Sequence, residues 1–468
     1  MRAFRVLIFF CFLLTTVCSA ETLEVKFSPE QQESRKGNLI VVISKEKFPP
    51  TGPGILTVWQ ERLAVVEDLE LKPGGTVKVE VGSLKTPVYI AAYLDENKDF
   101  MGTCHAGADE YYTSQLLFTG KGKRLFTKVD ARRKPRTLPT VSWLKEHSFI
   151  SSRMLDAGFG RDEATLKFLV GLPPGYWQTD ETYPVLFVTH GFSGNRWAYL
   201  NRYRQWREMM TDKPMILVSL DSNSRFGHHL FLNSEANGPR FDVLTKEVVP
   251  YIDHYFRSNG KRVIYGQSSG GWTAISALQK APQLFTGAVA TGPDPLVLDS
   301  WWFGTSGNAF VKSDGSPRML CPDYSLTMKS MVETEVLTNS YGQYSAFMAC
   351  FSPFQPDRPG LPFLSPFDPK TGAKDPEVWD IWKGYEMDGW VRAHPEQARE
   401  TFSNRLALFV GEKDEFGLRE TTQQFSKTLE ELNIPHRYQE IPGGGHTNYL
   451  EKPDFVKTCW DLFFELAE

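Results

Sequence analysis

Six residues, Gly266-Gln267-Ser268-Ser269-Gly270-Gly271, join the apolar run Arg262-Val263-Ile264-Tyr265 to a helical pattern beginning Trp272-Thr273-Ala274-Ile275-Ser276-Ala277-Leu278. A chain that passes from a short β run into a helix through G-x-S-x-G must bend sharply at the serine, and small neighbours leave the backbone room to bend. The turn presents the Ser268 hydroxyl in front of a helix N-terminus, which favours developing negative charge. This order of strand, turn and helix predicts a nucleophile elbow with Ser268 as the nucleophile.

A serine hydroxyl attacks poorly without a base and an orienting acid, and in this architecture the acid precedes the base along the chain. The run Arg405-Leu406-Ala407-Leu408-Phe409-Val410 reads as a buried parallel strand. Gly411-Glu412-Lys413-Asp414-Glu415-Phe416-Gly417 follows at the end where such sheets carry functional loops, and Asp414 is the candidate acid among its three carboxylates. A second strand-like run, His436-Arg437-Tyr438-Gln439-Glu440-Ile441, leads into Pro442-Gly443-Gly444-Gly445-His446. A glycine-rich loop can lay an imidazole over the serine, so His446 is the candidate base. Among the other histidines, His190 ends a strand and shapes a loop, His228-His229 has no third ligand at metal spacing, and His254 and His436 fall on patterned elements.

Attack on a carbonyl also needs N–H donors for the oxyanion. Ser269 supplies one backbone N–H. The second should come from the loop after Tyr183-Pro184-Val185-Leu186-Phe187-Val188-Thr189, where Phe192 is the candidate and Gly191 and Ser193 are alternatives. No metal or organic cofactor is required by this chemistry.

The stretches Val170-Gly171-Leu172-Pro173-Pro174-Gly175-Tyr176, Tyr183-Pro184-Val185-Leu186-Phe187 with His190-Gly191, the elbow, Asp414-Glu415-Phe416 and Gly444-Gly445-His446 together resemble the esterase D family of α/β-hydrolases over about residues 160–468. The resemblance implies a serine acyl-hydrolase with Ser268, Asp414 and His446 in the triad positions. It implies no single substrate, because that family includes S-formylglutathione hydrolases, feruloyl and acetyl-xylan esterases, siderophore esterases of the enterochelin type and mycolyltransferases.

From Ala164 onward apolar strands such as Met215-Ile216-Leu217-Val218-Ser219-Leu220 and Gly287-Ala288-Val289-Ala290 alternate with amphipathic helices, including one around residues 245–256. The predicted class is α/β, an α/β-hydrolase fold with a mostly parallel sheet over residues 137–468. Ser268 and Asp414 stand 146 residues apart, far more than one strand and one helix need. An insertion over residues 295–401 is therefore expected, and Trp301, Trp302, Phe303, Trp379, Trp382 and Trp390 within it suggest an aromatic cap and a substrate with apolar or sugar-ring faces.

Residues 21–136 show short β runs at 39–43, 54–59, 76–81 and 88–94 separated by Pro/Gly turns, which predicts a small β-sandwich domain. Within it Asp95-Glu96-Asn97-Lys98-Asp99 mimics the start of a calcium loop, but Phe100 stands where the glycine belongs and Ala106 where the closing glutamate belongs, so a plain turn is expected. The basic residues at 121–124 and 132–136 read as a solvated link. Residues 1–20 have the basic start, apolar centre and small-residue end of a cleaved signal peptide, with an apolar centre too short to span a bilayer core of about 30 Å. Export leaves Cys104, Cys321, Cys350 and Cys459 in a compartment that permits disulfides, and Cys321 with Cys350 is the first pairing to test, beside free buried thiols.

With 468 residues and 41% hydrophobic content the chain can bury a large core, and a net charge of −4 supplies no basic field for nucleic acid. No nucleic-acid partner and no membrane span are expected, and oligomeric state is open. The reading is a secreted or periplasmic serine carboxylic-ester hydrolase acting on a small-molecule or polysaccharide-linked ester. A secreted acyltransferase with the same triad and a non-catalytic carbohydrate-binding protein are the alternatives; a peptidase would need a site for an N-terminus or proline, which no motif here supplies.

Overall fold

The computed structural model describes residues 22–30, 33–47, 62–96, 111–113, 116–119, 125–132, 141–322, 325–339 and 341–468. The expected signal peptide, the run at 54–59, Asn97 to Asp99 of the calcium-loop mimic, most of the basic link and Cys104 lie outside these residues. The chain divides into two compact units, Met1–Thr137 with Tyr324–Tyr344, and Leu138–Asp323 with Ser345–Glu468.

In the first unit β1 (Thr22–Phe27) alternates half-buried and buried residues, with Leu23, Val25 and Phe27 inside, as the two-residue period of a half-buried strand requires. It joins β2 (Arg35–Ser44), β3 (Arg62–Leu71), β4 (Thr76–Glu80), β5 (Val88–Asp95), β6 (Tyr111–Thr113), β7 (Leu116–Phe118) and β8 (Leu125–Arg132). The strand order is β3-β2-β5-β6-β8-β1-β4 with β7 on β5, and β1 with β8 is the single parallel pair among them. End strands β3 and β4 approach each other, so the sheet wraps around a core that includes Leu39, Val41, Ile90 and Leu94.

One part of the expected cap belongs to this unit. A helix over Met328–Thr338, opened by a Thr327/Ser330 capping box and closed by left-handed Asn339, packs on β3. The Asn38 side-chain amide of β2 donates to the Thr338 carbonyl at 3.0 Å, satisfying one of the helix's terminal acceptors.

The second unit is built on eight strands. They are β9 (Leu144–Ile150), β10 (Thr165–Gly171), β11 (Tyr183–Thr189), β12 (Ile216–Leu220), β13 (Ser258–Gln267), β14 (Gly287–Thr291), β15 (Leu406–Gly411) and β16 (Arg437–Ile441). Their order is β16-β15-β14-β13-β11-β12-β10-β9. β11 to β16 run parallel, and β10 and β9 add an antiparallel edge. The central strands are buried end to end, which their unbroken Val, Ile, Leu and Phe runs demand of a sheet covered on both faces. On one face α1 (Leu200–Met209) packs against α4 (Pro453–Ala467), while α2 (Ser269–Lys280) and α3 (Leu418–Glu431) follow β13 and β15.

Register places the functional loops together. Thr189 of β11 pairs with Gly266 of β13, Gly266 with Ala290 of β14, Thr291 with Phe409 of β15, and Gly411 with Ile441 of β16. The loops that begin at residues 190, 268, 292, 412 and 442 therefore leave the sheet at one edge.

Two expectations are corrected here. Trp302, Phe303, Trp379 and Trp382 are buried and pack on one another, with Phe303–Trp379 centroids 4.4 Å apart and Trp302–Trp382 5.8 Å apart, so these four rings form a core of the insertion and present no faces to a substrate, whereas Trp301 and Trp390 are half-buried. Cys321 and Cys350 form no disulfide with each other, and Cys350 and Cys459 are free buried thiols; the Cys350 thiol donates to the His228 carbonyl at 3.3 Å.

The face under α1 and α4 is held by Trp206, whose ring lies 5.4 Å from Phe463, 5.7 Å from Tyr265 and 6.0 Å from Trp460. Trp206→Ala should lower stability by about 3–5 kcal/mol, read as a shift of the urea unfolding midpoint with an unchanged slope.

Candidate active site

Ser268 sits between β13 and α2 at φ 57°, ψ −126°, a conformation disfavoured for any residue with a side chain. Such strain costs about 1–3 kcal/mol and survives only where the surroundings over-determine it. They do so here: a methyl group on Gly266 would lie 2.0 Å from the Gly270 carbonyl oxygen, and one on Gly270 would lie 2.4 Å from the Thr189 carbonyl oxygen. The Ser268 backbone is then tied on both sides, its N–H donating to Thr291 at 3.0 Å and its carbonyl accepting the Asp294 N–H at 3.1 Å.

His446 and Asp414 are brought together. The His446 Nδ1 to Asp414 Oδ2 distance is 2.7 Å, and Asp414 is wholly shielded from solvent. A carboxylate only accepts, so Nδ1 carries the proton of the neutral ring and Nε2 keeps its lone pair. That lone pair faces the Gln267 amide at 3.0 Å, next in the chain to Ser268. Asp414 is oriented in turn by the Phe416 N–H, which donates to its Oδ1 at 3.0 Å. The flanking acids hold the histidine loop by its backbone: Glu415 accepts the His446 N–H at 2.5 Å and Glu412 the Gly443 N–H at 2.8 Å. Burial alone would lower the His446 pKa, but the Asp414 hydrogen bond and the charges of Asp414, Asp294 and Glu415 outweigh it and raise the imidazole above its usual 6.5.

Ser268 itself is turned elsewhere. Among the described residues no hydrogen bond joins it to His446; its hydroxyl donates to Asp294 Oδ1 at 3.0 Å, and the Ser269 hydroxyl donates to Asp294 Oδ2 at 2.5 Å. Asp294 is buried, and desolvation pushes its carboxyl above the usual 3.8 in spite of the two hydroxyl donors and the His446 charge. Sequence reasoning missed this residue. Its signal was position: Gly292-Pro293-Asp294 leaves β14 at the same edge as the other loops.

The loop after β11 lies against the elbow, where a methyl group on Gly191 would come within 3.0 Å of Ser268 Cβ. Ser193 turns this loop at φ 58°. The Phe192 and Ser269 backbone N–H groups have no hydrogen-bond partner among the described residues. Tyr199, also unforeseen, couples loop and elbow through one hydroxyl, accepting the Gly191 N–H at 3.2 Å and donating to Gln267 Oε1 at 3.3 Å. Arg202 covers the Tyr199 ring at 3.8 Å and donates to the Tyr265 hydroxyl. His190 and His228 are structural: Ser222 bridges them, its N–H meeting His190 Nε2 at 3.0 Å and its hydroxyl His228 Nε2 at 2.6 Å, and burial depresses His228 to about 3. Among the described residues no group of three His, Cys, Asp or Glu could hold a metal ion.

A profile of the family described as Putative esterase matches residues 162–451. The chain belongs to this esterase family. This esterase is a carboxylic-ester hydrolase, and the matched segment holds the elbow, the Asp414 loop and His446. No curated protein matches the sequence. Among solved structures it is similar to an S-formylglutathione hydrolase from Agrobacterium tumefaciens, at 15% identity over 71% of this chain and 99% of that one, TM-score 0.44. It is also similar to a fluorophosphonate-binding serine hydrolase of Staphylococcus aureus, at 16% identity over 69% and 98%, TM-score 0.42. A ferulic acid esterase from Anaeromyces mucronatus matches at 14% identity over 69% and 91%, TM-score 0.37.

A raised carboxyl means that the folded esterase binds the Asp294 proton more tightly than the unfolded chain does. Its favourable contribution is present below pH 3.8 and lost as pH rises through the folded pKa. Asp294→Asn removes the buried charge, so its thermal midpoint should lie closest to the parent's near pH 4 and exceed it by a growing margin toward neutrality. Parallel melts across pH check the sign.

Proposed function

We propose that this esterase is exported and cleaves its ester through Ser268, His446 and Asp414 by way of an acyl-enzyme. The observation that carries this reading is the fixed tautomer of His446: Nδ1 is bound to Asp414, and the basic Nε2 faces the elbow. Ser268 first turns about χ1 from Asp294 toward that nitrogen. Its Oγ then attacks the ester carbonyl while Nε2 takes the hydroxyl proton, and the carbonyl π pair moves to oxygen in reach of the Ser269 and Phe192 N–H groups. Collapse expels the alcohol, which leaves with the proton from Nε2. Water repeats the cycle on the acyl-serine with His446 again as base, and the carboxylic acid departs. Asp414 stays ionised throughout and stabilises the imidazolium.

The proposed substrate is an acylated carbohydrate or a comparable extracellular ester. Support comes from the leader-like residues 1–20, which point to a compartment where such polymers lie, and from the β-rich unit ahead of the hydrolase. The buried tryptophans of the insertion no longer count toward it.

With a short-chain nitrophenyl ester, Ser268→Ala should reduce kcat by at least about 10³-fold with its fold intact by circular dichroism. Equal rates would leave a carbohydrate-binding protein, and transfer to an added alcohol outpacing hydrolysis would make it an acyltransferase. Because His446 must be neutral to act as base and its pKa is raised, the acid limb of kcat/KM should lie above pH 6.5. Removing the charge in Asp414→Asn should move that limb to lower pH and cut kcat by about 10⁴-fold, as the wrong tautomer is then favoured.

A further inference from the structure

The starting edge of the hydrolase sheet carries a basin that the esterase chemistry does not use. It encloses about 620 Å³ between the beginning of β9, the turn that follows β10 and the segment that leads into β13. Ser268 stands beyond the far end of β13, ten residues along. A register shift at the start of β13 takes up part of that length, and the six rungs from Tyr183 to Thr189 on β11, at about 3.3 Å each, with the turn beyond them still put Ser268 roughly 25 Å away, so the basin cannot be part of the ester-binding pocket.

Its walls are aromatic and its charge is of one sign. Trp143, Tyr176, Trp177 and Tyr255 line it, and among its lining residues Lys145 and Arg207 are the charged side chains, with no Asp or Glu. Trp177 is 77% exposed and Tyr255 63% exposed, an unusual cost for large rings unless something covers them. Trp177 stands edge-on to Tyr176 at 4.9 Å, and the Arg257 guanidinium lies over the Tyr176 ring at 3.9 Å, so these two rings are braced. The Arg207 guanidinium lies 5.5 Å over the Trp143 ring and spends one nitrogen on the Leu172 carbonyl at 2.9 Å. Its remaining donors and the Lys145 ammonium have no partner among the described residues.

Flat, exposed rings suit the C–H faces of pyranose rings, and a guanidinium beside them suits a carboxylate, which it can grip with two parallel N–H bonds. We propose that this basin is a second carbohydrate site that binds a sugar bearing a carboxylate, a uronic acid residue of a polysaccharide chain. Rings left open at the rim favour a chain lying across the surface over a small acid enclosed in a cavity. The site would hold polymeric substrate to the enzyme while Ser268 works at the opposite edge. It rests on the proposed carbohydrate substrate, but binding can be measured with no ester cleaved.

The test is calorimetry on the Ser268→Ala protein with a glucuronic-acid-bearing xylo-oligosaccharide, xylotetraose and a free hydroxycinnamate as probes, at low and at 0.5 M salt. The acidic oligosaccharide should bind at least about 10-fold tighter than xylotetraose and lose that margin in salt. Arg207→Gln and Lys145→Gln should each narrow the margin, and Trp177→Ala should abolish binding of both sugars. Trp177→Ala in the otherwise unaltered enzyme should keep nitrophenyl ester turnover, which shows that it is folded. Equal affinity for neutral and acidic sugars, tighter binding of the hydroxycinnamate, or binding untouched by Trp177→Ala would each overturn the proposal. Loss of nitrophenyl ester cleavage in Ser268→Ala has no bearing on these outcomes, so failure here and failure of the esterase mechanism are distinguishable.

Discussion

A single residue held in a conformation it resists organises the hydrolase unit. Ser268 adopts a positive φ because β13 ends where α2 begins and no slack separates them. The contact that permits this is backbone on backbone: Gly266 against Gly270, and Gly270 against the end of β11. Any side chain at either glycine would force strand and helix apart, and the hydroxyl would leave the edge to which register delivers the other loops. The cost of the turn is met by the packing of a buried five-strand neighbourhood, so the strain is affordable only in the assembled sheet.

Electrostatics at that edge divide two buried carboxylates between two partners. Asp414 takes the imidazole and Asp294 takes the serine hydroxyl. The arrangement leaves the Ser268 hydroxyl and the His446 imidazole each satisfied by a neighbour, with Gln267 occupying the imidazole nitrogen that the hydroxyl would otherwise meet. Both side chains are thus ordered without touching, and bringing them together exchanges the Ser268–Asp294 hydrogen bond for one to His446 and displaces the Gln267 amide from the imidazole nitrogen.

How much of this could be read from the sequence follows from which signals are local. The elbow, β15 with its acidic loop and β16 with its glycine-rich loop are contiguous patterns; β15 and β16 fall within a residue of their expected bounds, and β13 begins four residues before and ends two residues after the expected run. Asp414 was separated from Glu412 and Glu415 by position alone, and the structure gives all three work on the same loop pair. Asp294 and Tyr199 were illegible because their partners are far along the chain and their own surroundings carry no motif. The aromatic insertion misled for a related reason: clustered tryptophans mark burial as readily as binding, and composition does not say which side of a ring faces water. β3 went unread because Glu67, Asp68 and Glu70 interrupt its apolar alternation, and a register shift opposite Gly37/Leu39 accommodates them.

The helix at Met328–Thr338 has a consequence for how the molecule is made. It completes the leading β unit, yet it is encoded after Ser268 and before Asp414. As the chain emerges from the ribosome, the first sheet must wait for about two hundred further residues before its last piece arrives, and by then six of the eight hydrolase strands are already out. Neither unit can finish before the other has begun, and a cut near residue 137 would yield a fragment without its own closing helix.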